Sequence, residues 1–521
     1  MIKTTGSSVD SSEEQFRNCE VIKPTRREFL VLGILSSAFS KKYCESPGSG
    51  HELSVDTNLS KSEVTYLDAS HLARMIRNKK ISAVELVELH LNRIRQVNGK
   101  LNAVVTFDRE RALNTARYLD ELTAKGKFLG SLHGVPMTVK DSFDTAGLRT
   151  TYGSEGSKNF VPSEDATVVK RLKRAGVIQV AKTNTPELTW AFETDNGVFG
   201  RTNNPYDLNL SPGGSSGGAA AIVAAGGAPF DIGSDTGGSI RLPAHLCGIC
   251  GLKPTSGRVP RTGHIISADG TLQSFTQLGP LARSVEDLWR IFKIVVGPDN
   301  KDPWVVQESL GDPSAIKTSG LRVAFHTDNG IRSPDGEVAS AAMKVAAFVE
   351  RQGAKIREDK PGVITEAVEL DRDLYSLDGG ASLRKILDRL GTKEPGAVVA
   401  ASITNKPMSE DRAAEVVDRW HRWQGQMLGF WNNYDAIICP PCAVSKLPHG
   451  SSYTEEAYQW FSYTYVYNMT GWPAVVVPVG FTGQGLPIGI QIVTPPWRED
   501  VAIALAAQVE REFGGYRRPA L

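Results

Sequence analysis

Residues Ser211 to Ser239 read SPGGSSGGAAAIVAAGGAPFDIGSDTGGS, two serine-bearing glycine clusters separated by small apolar residues. The first cluster, Gly213-Gly214-Ser215-Ser216-Gly217-Gly218, opens Ala219 to Ala225, which predicts a short helix stopped by Gly226-Gly227. Ala228 to Ser234 predicts a short buried strand that delivers the second cluster, Asp235-Thr236-Gly237-Gly238-Ser239. Glycine lets the backbone turn tightly and brings bare N–H groups close to a ligand. A helix N-terminus beside a hydroxyl favours developing negative charge. Such a stretch can hold an oxyanion and supply a nucleophile, provided a base stands elsewhere.

Lys140, in Gly134-Val135-Pro136-Met137-Thr138-Val139-Lys140-Asp141, is the candidate base. A lysine accepts a proton only when neutral, so this reading requires Lys140 to be buried rather than paired with Asp141 at the surface. The succession GVPMTVKD, PGGSSGG and GSDTGGSIRLPAHLCGICGLKPT resembles the amidase signature family, whose triad is Ser–cis-Ser–Lys. The likeness runs from about Tyr66 to the C-terminus and includes Asn468 to Ala474 and Gly485 to Gly489. It implies an α/β fold, a large mixed β-sheet sandwiched between helices, and hydrolysis of the C–N bond of a carboxylic amide. It further implies Ser239 as nucleophile, Ser215 as the bridging serine after a cis peptide, and Lys140 as base. The N–H groups of Thr236, Gly237, Gly238 and Ser239 are then the expected oxyanion donors. Asp235 and Arg241 are expected to hold the loop in shape, and neighbouring Ser216 to matter far less than Ser215.

Composition agrees with an ordinary globular protein: 521 residues, 40% hydrophobic and 22% charged, enough to bury a large core. Length alone suggests about three domains, but the motifs are spread over one continuous unit, expected to cover 59–521. A net charge of +1 supplies no electrostatic reason for nucleic-acid binding. No apolar run approaches the ~20 residues that span a bilayer. Residues 1–58 are expected to be an export leader and linker. Arg26-Arg27, a short apolar stretch from Phe29 to Phe39, then Lys41-Lys42, resemble a twin-arginine signal and imply a periplasmic destination. Ala38 and Ser40 suit cleavage after Ser40.

Along the chain, Ser82 and Glu85 form a capping box ahead of Val87, Leu91 and Ile94 at helical spacing. A helix beginning at Asp165 and stopped by Gly176 leads into a strand, Val177 to Ala181; a strand over Leu321 to Phe325 and a helix ending at Gly353 repeat that alternation. Such alternation indicates an α/β layered fold. Ile364 to Trp431 predicts helix without a motif. Tyr453, Tyr458, Trp460, Phe461, Tyr463, Tyr465 and Tyr467 suit either core packing or the wall of an acyl or aryl pocket.

Several patterns imitate other chemistry. Gly213 to Gly217 matches G-x-S-x-G, but a turn-rich run precedes it where a nucleophile elbow needs a strand. Asp235-Thr236-Gly237 spells an aspartic-protease triplet without the second carboxylate that such chemistry requires. Cys247/Cys250 and Cys439/Cys442 lie too far apart in sequence for an ordinary zinc site, so no metal and no cofactor is expected; their spacing leaves disulfide formation open. His133 and His245 have no required task beside a lysine base. The leading expectation is therefore an exported hydrolase of small-molecule amides. The alternatives are a glutamine amidotransferase A-type subunit working with partners, which an export signal counts against, and an amidase-like binding protein, which the intact triad counts against.

Overall fold

The β2 strand, Pro136–Lys140, and the β4 strand, Phe230–Asp235, lie side by side and parallel, with Thr138 opposite Asp231 and Val139 opposite Ile232. Their C-terminal ends therefore emerge at one edge, carrying Lys140 and Asp235 together. In open α/β sheets, that edge is where ligands bind. The coordinates are a computed structural model that describes residues 60–266, 271–403 and 406–521. The described residues belong to one compact unit, Asn58–Leu521. The expected leader, with Arg26 and Arg27, lies outside them.

The remaining strands are β1 (Val104–Phe107), β3 (Ile178–Thr183), β5 (Cys250–Lys253), β6 (Gln277–Ala282), β7 (Arg322–Phe325), β8 (Lys355–Glu358), β9 (Ala436–Cys439), β10 (Ala474–Phe481) and β11 (Pro487–Val493). They form one 11-stranded sheet in the order β1-β3-β2-β4-β6-β5-β10-β11-β9-β7-β8. The sheet is mixed: β3, β2 and β4 run parallel, as do β9, β7 and β8, while β6, β5, β10 and β11 alternate in direction. Helices pack on it, which is the expected α/β architecture. Among the described residues no helix is long and apolar enough to cross a membrane.

Local chemistry explains much of this. Ser82 Oγ accepts from the Glu85 N–H at 3.1 Å and Glu85 answers on the Ser82 N–H at 2.9 Å, so the capping box starts the helix Ala83–Leu101. Val87, Leu91 and Ile94 of that helix are buried against β3 and the alanine-rich helix. Asp165 does not start a helix. Its carboxylate is taken by the Ala146 N–H (2.9 Å) and Lys173 (2.8 Å), and the helix is Thr167–Arg174. Tertiary partners outcompeted the cap.

The helix after the first glycine cluster is Gly217–Ala224, two residues earlier than the alanine run suggests, and it is buried all round. It can lie that deep because its first two residues, Gly217 and Gly218, have no side chain. A Cβ on Gly218 would stand 2.5 Å from the Asn184 N and 2.8 Å from the Ala103 O. Burying Ile222 and Val223 on such a helix contributes about 1.5–3 kcal/mol each.

Candidate active site

Lys140 ends β2 with no exposure to solvent. Its Nζ bonds Ser215 Oγ at 2.6 Å, Ser234 Oγ at 2.9 Å and Ser216 Oγ at 3.1 Å. Burial drives the Lys140 pKa well below that of a free lysine, against the opposing pull of Asp235 and then Asp231. Asp141 turns away from it: its Oδ2 accepts from the Thr151 N–H and hydroxyl, and its Oδ1 faces Lys182 at 3.5 Å. Lys140 is thus a buried amine among three hydroxyls, the environment in which a lysine is neutral and can accept a proton.

Ser215 and Ser216 come from the loop entering the helix Gly217–Ala224, and Ser234 from β4. The Gly214–Ser215 peptide is cis, as the resemblance implies. The Ser216 N–H donates to the Ser239 carbonyl at 3.2 Å, which ties the two glycine clusters together. Ser216 differs from expectation: it touches Lys140 and also donates to the Ser234 carbonyl at 3.2 Å, so it is part of the lysine's cradle.

Asp235 organises the second cluster. Its carboxylate accepts from the N–H groups of Gly238 (2.8 Å), Ile240 (3.1 Å) and Arg241 (3.3 Å), and from Arg241 Nε (3.0 Å) and Nη2 (2.9 Å). Burial alone would raise its pKa, but the Arg241 guanidinium, Lys253 and Asn468 together hold it well below the usual carboxylate range. Arg241 in turn bonds Gln491 Oε1 at 2.8 Å and Asn468 Oδ1 at 2.5 Å. Asp235 and Arg241 thus make the loop's buried clasp.

One expected donor is displaced. The Gly238 N–H is spent on Asp235, so it is not part of an oxyanion hole in this conformation. The N–H groups of Thr236, Gly237 and Ser239 have no hydrogen-bond partner among the described residues, leaving three donors for a developing oxyanion. Gly238 has φ +132, and a Cβ there would stand 2.3 Å from Thr464 Oγ1, which itself bonds the Gly237 carbonyl at 2.8 Å. Gly238→Ala is therefore expected to shift the loop and lower kcat by about 10²–10³, the scale of losing one oxyanion donor. Amide hydrolysis measured on variant protein with unchanged circular dichroism checks this.

The aromatic cluster divides between its two readings. Tyr463, Tyr465 and Tyr467 are buried on the helix Ser462–Met469, and Phe461, Tyr465 and Tyr467 belong to a large apolar cluster. Phe192 stacks on Phe461 with ring centroids 4.0 Å apart, and Phe192 and Tyr465 border Gly237 at 3.6 and 3.8 Å from where a Cβ would stand. Tyr453 is exposed. Phe192, for which the sequence carries no signal, therefore walls the loop that bears Ser239.

His133 and His245 are structural: the first bonds Thr123 and the Leu119 carbonyl, the second the Gly489 N–H and the Val444 carbonyl. Cys247, Cys250, Cys439 and Cys442 are buried free thiols. Burial pushes the Cys439 thiol up to about 11 and the Cys442 thiol up to about 12, so neither is a ready nucleophile. Among the described residues no group of three His, Cys, Asp or Glu is placed to hold a metal ion.

A buried lysine, a cis-peptide serine and a glycine-flanked serine on one edge of a mixed sheet are the arrangement the motifs led us to expect, and the Amidase family model matches residues 85–502. The chain belongs to the Amidase family. It is 35% identical to an acylamidase from Rhodococcus erythropolis, over 85% of this chain and 95% of that one. It is 33% identical to the A-type subunit of the glutamyl-tRNA(Gln) amidotransferase of Carboxydothermus hydrogenoformans, over 86% and 98% of the two chains. Among solved structures, a 6-aminohexanoate cyclic dimer hydrolase superposes with a TM-score of 0.80 at 27% identity, covering 88% of this chain and 99% of that one. This Amidase family member is an amide hydrolase that cleaves C–N bonds. Sequence reasoning missed Ser234, Asn468 and Gln491 of its site. Asn468 stood in a stretch already singled out, but nothing local gave it a partner.

Proposed function

We propose that this amidase works through a Ser239 acyl-enzyme, with Ser215 relaying protons between Ser239 and neutral Lys140. The observation that carries the reading is the 2.6 Å contact of the buried Lys140 Nζ with Ser215 Oγ. Ser239 Oγ attacks the amide carbonyl carbon while its proton passes to Ser215 and the Ser215 proton to Lys140. The oxyanion is met by the N–H groups of Thr236, Gly237 and Ser239. Collapse breaks the C–N bond, and the proton returns through Ser215 to the leaving amine. Water then attacks the acyl-enzyme by the same relay, releasing the acid and restoring Ser239.

The substrate is a small-molecule amide, with no second protein required. The acylamidase relative supports a hydrolase of acyl amides; the relative that is an amidotransferase subunit supports the alternative of glutamine hydrolysis with partners. A panel of aryl, aliphatic and amino-acid amides assayed with the isolated protein separates them. Turnover by the isolated protein is expected; glutaminase activity seen only with partner subunits would replace this reading.

The export signal is a second part of the proposal, motivated by Arg26-Arg27 before a short apolar run. Replacing both arginines by lysine is expected to strand precursor in the cytoplasm of a host with twin-arginine transport. Unchanged fractionation between cytoplasm and periplasm would remove the signal from consideration.

A further inference from the structure

We infer that Asp231, a buried carboxylate that no motif singled out, is a positioning residue that sets the basicity of Lys140. The inference rests on Lys140 being the base. Asp231 lies on β4 beside β2, wholly buried, and its Oδ1 accepts the Lys140 main-chain N–H at 3.1 Å. Its Oδ2 accepts from Thr183 Oγ1 on β3 at 3.0 Å. Both donors are neutral.

The other charged groups around Lys140 are already matched. Asp141, next in sequence, faces buried Lys182 of β3 at 3.5 Å. Asp235, at the end of β4, is clasped by Arg241 at 2.9 Å, with Lys253 nearby. His264, from the segment before β6, is buried; burial and the neighbouring Lys140 both push its pKa down to about 3, so it stays neutral. The hydroxyls of Ser215, Ser216 and Ser234 complete the surroundings. Among the described residues no cation forms an ion pair with Asp231, so its charge is left to act on Lys140, beside the pull of Asp235.

That placement has a chemical reason. An amine surrounded only by hydroxyls and apolar atoms loses its proton easily but is then a poor base. Base catalysis is best when the pKa stays near the working pH. An unmatched carboxylate on the adjacent strand favours the ammonium form and restores part of the basicity that burial removes. Burial pushes the Asp231 carboxyl up, and the donors around it together with Lys140 oppose that and favour the anion.

The sign follows directly. Removing the Asp231 charge makes Lys140 less basic, so neutral lysine persists to lower pH. Asp231→Asn keeps an oxygen for the Lys140 N–H and removes the charge. The readout is the rate of covalent labelling by a fluorophosphonate as a function of pH. Its acid limb is expected to move down by about one pH unit, the size of a Coulomb interaction between neighbouring buried groups at an effective dielectric constant of ~20. Thr183→Val, which removes a donor to the Asp231 anion and no hydrogen bond of the Lys140 amine, should move the limb the same way by less. This second variant also decides the matter if Asp231→Asn does not fold. A residue that only packs would lower the rate at every pH and leave the limb in place. An unmoved acid limb, or one displaced to higher pH, overturns the inference. Lys140→Met separates it from the base assignment. If that variant labels at the wild-type rate, Lys140 is not the base; if it labels slowly while the Asp231 and Thr183 variants keep the wild-type limb, only the role of Asp231 falls.

Discussion

Ser239→Ala is expected to end covalent labelling by a serine-directed phosphonate altogether, and amide hydrolysis with it. Ser239 is the hydroxyl at the head of the loop whose N–H groups are free to meet an oxyanion, whereas Ser215 is already committed to Lys140 at 2.6 Å. Ser215→Ala and Lys140→Met should instead slow labelling by about 10²–10⁴, the range for losing acid–base assistance. The double variant should lose far less than the product of the two, because one relay can be broken only once. Ser216→Ala is expected to cost less than Ser215→Ala but to be measurable, given its 3.1 Å contact with Lys140. Peptide mapping is the arbiter: a label on Ser215 would reverse the two serine roles.

Arg241→Leu is expected to destabilise the fold by about 3–5 kcal/mol at neutral pH, the range for stripping one partner from a buried ion pair. The variant would leave Asp235 without its cation in a site with no exposure, and would free the Gln491 and Asn468 acceptors as well. The pH dependence has a definite sign. The Asp235 pKa is depressed in the native state, so the pair's stabilisation is fully present above the ordinary value of 3.8 and is lost as pH falls through the lower native value. In the variant, acid protonates the orphaned carboxylate and relieves it. Denaturant unfolding at pH 7 and near pH 3 should therefore show a deficit that narrows in acid; a deficit independent of pH would mean that packing, not charge, dominates at Arg241.

What could be read from the sequence was what the chain encodes within a few residues. Lys140, Ser215 and Ser239 stand in short glycine- or proline-marked motifs whose backbone demands are local, and the capping box at Ser82 is local too. Asn468 and Gln491 were not legible because they reach Arg241 from 227 and 250 residues away. Gln491 arrives on β11, which lies one strand beyond β10 from β5, and Asn468 on the helix Ser462–Met469 that precedes β10, placements that no spacing announces. In sequence Asp231 is one more position in a buried strand, since a carboxylate there has meaning only beside Lys140 and Thr183. The N–H groups of Gly237 and Gly238 are equivalent in sequence, and only the Asp235 carboxylate, which takes that of Gly238, distinguishes them. The start of the helix near Asp165 failed for the opposite reason, a good local cap drawn off by Ala146 and Lys173.

The clasp on Arg241 also bears on biosynthesis. The nucleophile loop lies before residue 242, yet two of the side chains that steady its arginine, Asn468 and Gln491, are made more than two hundred residues later. A ribosome that has delivered Lys140, Ser215 and Ser239, the groups proposed to react, has not yet delivered all of the frame that holds them. Until residue 491 has been made, the chain lacks a side chain that bonds Arg241, and a chain ended between residues 242 and 467 carries Ser239 with neither Asn468 nor Gln491 to steady its loop.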